Sequence, residues 1–255
     1  MQRQNYIGRR MMKLFKLLMI LIVLTLLAVT FTPLDFYYAK VSKNIRPITL
    51  EGISGSAIKG SAEKIKYLGM DLGQVNWLLY PSSYDSISLD VEIKDEHYDF
   101  IAEYKNTIDS KILKNLRGSA DWKLIEKYIN FNHGEISGYL SFDFKQLEML
   151  NGAMHRIDGR ITTKELKLLK PIKKDLGEIE VVFKPDNPQI MVGLVNSKSN
   201  VLNISGAIYI HKNHRWEIKL TLIPMPGEYE IEYALQGVGD KRRGGGRSLN
   251  IAGFY

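Results

Sequence analysis

The sequence predicts a mainly β protein: an N-terminal single transmembrane helix followed by a curved antiparallel β-meander with one or two short helices. Three observations carry this. One long uncharged run stands near the N-terminus, strict period-two alternation dominates the rest, and helical patterning is scarce.

The uncharged run comes first along the chain. From Leu17 to Leu34 it reads LLMILIVLTLLAVTFTPL, 18 residues before Asp35 interrupts. At about 1.5 Å per residue that length just crosses a hydrocarbon core of about 30 Å. A cleaved signal peptide competes, but its apolar core is shorter and ends in an A-x-A-like site, for which Ala28 and Thr30 are a poor substitute. Phe36, Tyr37 and Tyr38 follow and suit the headgroup level. Arg3, Arg9, Arg10, Lys13 and Lys16 precede the run and fix its orientation, because positive flanks stay in the cytoplasm. The expected organisation is a basic cytoplasmic tail over 1–16, an anchor over 17–34, a juxtamembrane linker over 35–48 and, across the membrane, a β-rich domain over 49–255.

The net charge of +7 invites a nucleic-acid reading, until its location is considered. Five of the seven excess positive charges sit in the tail, so the body is nearly neutral and that reading loses its support. The absence of cysteine suits an oxidising compartment.

Beyond the anchor, glycines come first. Gly52, Gly55 and Gly60 lie in strand-like sequence, where glycine marks a bend, a bulge or a close backbone approach, so GISGSAIKGSAEKI is expected to form the first strands of a sharply curved sheet. In QVNWLLYP, Val75, Trp77 and Leu79 share a face and Pro81 is expected to end the strand. Ile87, Leu89, Val91 and Ile93 alternate with Ser88, Asp90 and Glu92, as one-sided burial requires. SADWKLIEKYI is the best helical segment, with Leu124, Ile125, Tyr128 and Ile129 on one face after Ser119 as a cap. Strands follow at Leu140–Phe142–Phe144, Ile179–Val181–Phe183, Ile204–Ile208–Ile210 and Trp216–Ile218–Leu220–Leu222. Tyr229, Ile231, Tyr233 and Leu235 alternate with Glu228, Glu230 and Glu232 and read as another strand, joined through GVGDKRRGGGR to a last strand at SLNIAGFY. Turn signals at KPDNP, HKNH and PMPG lie between strands at the spacing of an antiparallel meander. Such a meander hides its apolar face as a half-tube, a sandwich or a partly closed barrel, and alternation alone does not choose among them.

Chemistry is sparse. Of five histidines only His211 and His214 are close in sequence, without a cysteine or obvious carboxylate beside them, so a solvated turn is preferred to a metal pair. There is no nucleophile elbow and no phosphate loop, and the glycines of GVGDKRRGGGR lack a preceding β-α-β pattern. Lys241, Arg242, Arg243 and Arg247 are the candidate contact for lipid headgroups or an acidic partner surface, set against a plain soluble hairpin tip. No catalytic, cofactor or metal residue is expected.

SGSAIKGSAEKI followed by LGMDLGQVNWLLYP resembles the opening signature of the type II secretion system protein N family, the general secretion pathway N subunit. The resemblance continues in GEISGYLSFDF, IDGRITTKELKL, NISGAIYIHKNHRWEIKLTLIP and YALQGVGDKRRGGGRSLNIAG, and so covers the chain from about residue 45. It implies that Gly55, Gly60, Gly69, Gly73, Trp77, Pro81, Gly159 and Gly206 are structural signature positions. It implies a non-enzymatic accessory subunit of the bacterial inner membrane that supports export of folded proteins from the periplasm. Its implied partners are other inner-membrane subunits and the outer-membrane secretin. The alternative is a lipid-handling module similar to the AsmA-like proteins, which needs an open apolar groove.

Overall fold

A computed structural model describes residues 32–43, 46–83, 86–107, 109–123, 135–185 and 189–255. The predicted anchor lies outside them except for its last three residues. No helix among the described residues is long and apolar enough to cross a membrane. The chain forms two compact units, Met1–Tyr80 and Pro81–Tyr255.

In the first unit a helix, Leu34–Val41, precedes β1 (Ile48–Gly55), β2 (Lys59–Tyr67), β3 (Met70–Asp71) and β4 (Gln74–Ser83), which belongs to this unit as far as Tyr80. β1 and β2 form a hairpin, β3 folds back on the end of β2, and β4 pairs with the start of β2. Ala62 and Val75 stand opposite each other and are both buried. Pro81 does not end β4, which runs on to Ser83. Proline lacks only the N–H and its fixed φ lies within the extended range, so a strand can pass through it wherever that donor has no ladder partner.

The second unit is a meander of antiparallel neighbours: β5 (Ser86–Lys94), β6 (Tyr98–Asn106), β7 (Ser110–Asp121), β8 (Glu135–Leu150), β9 (Ala153–Lys170), β10 (Lys174–Lys184), β11 (Ile190–Lys198), β12 (Leu202–His211) and β13 (Arg215–Pro224). After a helix, Tyr229–Ala234, come β14 (Asp240–Lys241) and β15 (Arg247–Phe254). β15 lies beside β13, with β14 on its outer side, so the strand order ends β12-β13-β15-β14. Among the described residues the sheet of this unit does not close on itself.

Two expectations are corrected here. Ser119 is not a helix cap but part of β7, and residues 124–129 lie outside the described ones. Tyr229–Ala234 is a helix, not a strand. As a strand it would turn Tyr229, Ile231, Tyr233 and Leu235 to one face. As a helix it buries Ile231 and Leu235, four apart, to 1% and 8% exposure and leaves Tyr229 and Tyr233 at 78% and 65%. Glu230 and Glu232 in its first turn suit the positive end of the helix dipole. Lys174 on β10 fastens it, with Nζ 2.9 Å from Glu228 and 3.3 Å from Glu230.

That helix covers the main core, where Ile231 and Leu235 pack with Ile136, Leu166, Leu168, Leu176, Leu202, Ile204 and Leu222. A second cluster holds Phe144, Ile157, Phe183 and Met191. Bulges change the phase of burial along the long strands. In β9, Ile157 and Thr163 are buried at odd positions and Leu166 and Leu168 at even ones, with Glu165 between them at a positive φ of 52°. At the start of β5 the alternation fails: Ile87 is 56% exposed while Ser88 is fully buried, its hydroxyl donating to Glu103 Oε1 at 3.1 Å.

Candidate interaction surface

Two of the glycines singled out in the sequence, Gly60 and Gly159, meet aromatic side chains as cross-strand pairs. Gly60 on β2 stands opposite Trp77 on β4, and the indole lies so close that a Cβ on residue 60 would sit 2.5 Å from its ring. The same ring donates its Nε1–H to Ser56 O at 3.2 Å. Gly55, Gly60 and Trp77 thus build the closed corner of the first hairpin, in which Ser56 is buried. Gly69 lies in the β2–β3 turn, and Gly73 just before β4 donates its N–H to Asp71 Oδ1 at 2.9 Å.

In the second unit Gly118 stands between Phe100 and Phe142, whose ring centroids meet 5.6 Å apart. Gly159 stands between Phe144 and Phe183, with centroids 6.4 Å apart. A middle strand without a side chain lets rings from both flanking strands touch above it, and tilted aromatic pairs at this spacing attract. Gly193 beside Phe183 and Gly253 beside Trp216 each lie under a single ring. Sequence reading singled out Gly60, Trp77 and Gly159 but missed Gly118, Gly193 and Gly253, because the pairing partner is distant in sequence. Gly206 plays another part: a Cβ there would lie 2.0 Å from Lys219 O, so two backbones approach at that point.

These pairs belong to apolar rows that cross the strands. Ile93, Phe100, Gly118, Phe142, Ile161, Val181, Val195, Gly206, Leu220 and Leu249 stand opposite one another in turn from β5 to β15. Most of the row is half-buried.

The basic residues lie at the other end of the chain. Lys241 is on β14, and Arg242 and Arg243 project from a tight hairpin closed by Arg242 N–H donating to Gly246 O at 3.2 Å. Arg247 opens β15 opposite Lys241. Among the described residues none of the four forms an ion pair, and only Arg247 is partly covered. The structure brings them together on one hairpin, but joined to a helix, not to the strand expected before it.

His211 and His214 turn to different partners. His211 Nε2 lies 3.5 Å from Glu217 Oε1, and the His214 ring packs on Tyr255 with centroids 5.2 Å apart. Glu217 also meets Arg215 at 3.1 Å and Lys219 at 2.8 Å, and the Lys219 hydrogen bond, then the neighbouring cations, hold its carboxyl below its ordinary value. Among the described residues no group of three metal-ligating side chains is assembled. The arrangement offers side chains for contact. No curated protein and no solved structure matches the chain. A family model described as type II secretion system (T2SS), protein N, matches residues 46–250.

Proposed function

Because the chain belongs to the type II secretion system protein N family, we propose that it is an accessory, bitopic inner-membrane subunit of that machine. It supports export of folded proteins by holding other subunits through its β-rich part. The observation that carries this is the family match, which runs from before β1 into β15 and so takes in strands of both units. The uncharged run with five basic residues before it supports an anchor with the N-terminus in the cytoplasm. The remainder then faces the periplasm, in reach of other inner-membrane subunits and of the secretin. The four-cation hairpin offers a contact for an acidic subunit surface or for headgroups.

A second reading, handling of lipid, is favoured by one observation: the half-buried apolar rows of an unclosed sheet. One experiment separates the two. Proteins released by a deletion strain and its parent are compared beside the permeability of the outer membrane to a large antibiotic. Loss of particular secreted proteins with an intact barrier is expected. Unchanged release with a leaky barrier would overturn the secretion reading in favour of lipid.

A further inference from the structure

β15 is an edge strand without the usual defences. Native edges are blunted by charge, proline, bulges or a covering element, because their unpaired backbone groups template pairing with another chain. β1 at the edge of the first unit has such cover, its Leu50 N–H donating to Tyr38 Oη at 2.6 Å. β15 pairs continuously with β13 on one side, while on the other β14 pairs with Arg247 and Ser248 and Gly239 lies against Leu249. Leu249 to Tyr255, LNIAGFY, contains no charge and no proline.

The direction of its peptide groups follows from two hydrogen bonds. Tyr255 N–H donates to His214 O at 2.9 Å, toward the β13 side, while Gly246 O accepts from Arg242 toward β14. Groups alternate along an antiparallel strand, so those of Asn250, Ala252 and Phe254 point away from β13. Among the described residues no hydrogen bond reaches them. The side chains agree with an unfinished edge: Ile251 is 43% and Phe254 78% exposed.

We propose that a second copy of this chain completes the edge, its β15 pairing antiparallel with this one about a two-fold axis at Ala252. Like faces meet only if the paired numbers differ by an even amount, since side chains alternate. Centring on Ala252 satisfies this and uses residues 250–254, leaving Gly239 in place against Leu249. Asn250 and Phe254 of opposite copies then face each other, as do Ile251 and Gly253, a large side chain over a glycine as in the sheet's own pairs. The smallest side chain of the exposed face, Ala252, lies on the axis. The outward groups of residues 250, 252 and 254 find partners. Charge does not oppose it: the antiparallel arrangement sets the two basic hairpins at opposite ends of the joint, the two Arg247 positions about 33 Å apart at ~3.3 Å per residue, beyond a screening length of about 8 Å.

The natural chain has no cysteine, which makes the test direct. Full-length chain carrying Ala252→Cys is oxidised in its membranes and run without reductant. Directly paired hydrogen-bonded residues have Cα atoms about 5.5 Å apart, inside the range of a disulfide, so a band at twice the 29.2 kDa chain is expected. Asn250→Cys or Phe254→Cys alone should give at least five-fold less, because each then sits about 13 Å from its own copy, whereas the two co-produced should cross-link each other. Equal yield from all three single variants, no dimer band from any, or a band between Ala252→Cys and a different polypeptide would overturn the proposal. Ala252→Lys guards against a trivial loss. Its side chain is exposed, so circular dichroism should match the parent while the dimer mass seen by light scattering in detergent is lost. A parent that is monomeric in that measurement, or a lysine variant that stays dimeric, would also refute it.

Discussion

Thr163 illustrates what a single residue decides in this protein. It is buried in β9, and its hydroxyl accepts the Ile179 N–H at 2.8 Å where the β9–β10 register shifts. Removing the acceptor leaves a buried donor unpaired, so Thr163→Val should cost about 1–3 kcal/mol in urea unfolding while Thr163→Ser stays near the parent. Equal stability of the two variants would show the bond to be dispensable. Glu217 makes a prediction on the acid side. A carboxylate held below its ordinary value of 4.5 adds stability above that pH and loses it as pH falls through the lower folded value. Unfolding midpoints of the parent should therefore drop below about pH 4.5 more steeply than those of Glu217→Gln, with a smaller gap in high salt because the partners are partly exposed. Neither role was legible in the sequence. Thr163 and Ile179 are brought together by a bulge, and bulges leave no mark on period-two patterning until the strands are paired.

The elements were read well wherever one face was apolar and the other polar. β13 matches the alternation from Trp216 to Leu222, and β8 matches Leu140, Phe142 and Phe144. The helix Tyr229–Ala234 is the exception, and its reason is physical. Tyr229, Ile231, Tyr233 and Leu235 satisfy period two, but Ile231 and Leu235 also satisfy the helical spacing of four. Over six residues both periods fit, and tertiary contact chooses. The core beside β12 and β13 has room for two aliphatic side chains, and the acidic residues find Lys174. Ile231→Ala should cost about 3 kcal/mol, while Tyr229→Ala and Tyr233→Ala should each stay within about 0.5 kcal/mol. Comparable losses at all four positions in thermal unfolding would instead fit a strand. The opposite failure occurs in β5, where Ile87 belongs to a clean apolar series yet is exposed, because burial at the strand's start falls on the serine face.

At the scale of the molecule, topology is the first thing to measure. A reporter active only outside the cytoplasm, fused after Tyr255, should be active; one active only inside should be silent, and the reverse result would overturn the proposed orientation. By itself the sequence determined the class of the protein: mainly antiparallel β, an uncharged run with a basic flank, and membership of a secretion family legible in its glycine and tryptophan spacings. Those are local properties, fixed by alternation, run length and short motifs, and so they survive without knowledge of what pairs with what. Only the tertiary structure decided that, among the described residues, the sheet of the second unit stays open, that aromatic rings meet over Gly118 and Gly159, and that no strand pairs with β15 beyond β14. Each depends on partners far apart in the chain. Strand register sets which residues face each other, and register is a property of the assembled sheet, where bulges and a helix displace the simple alternation that any one strand carries.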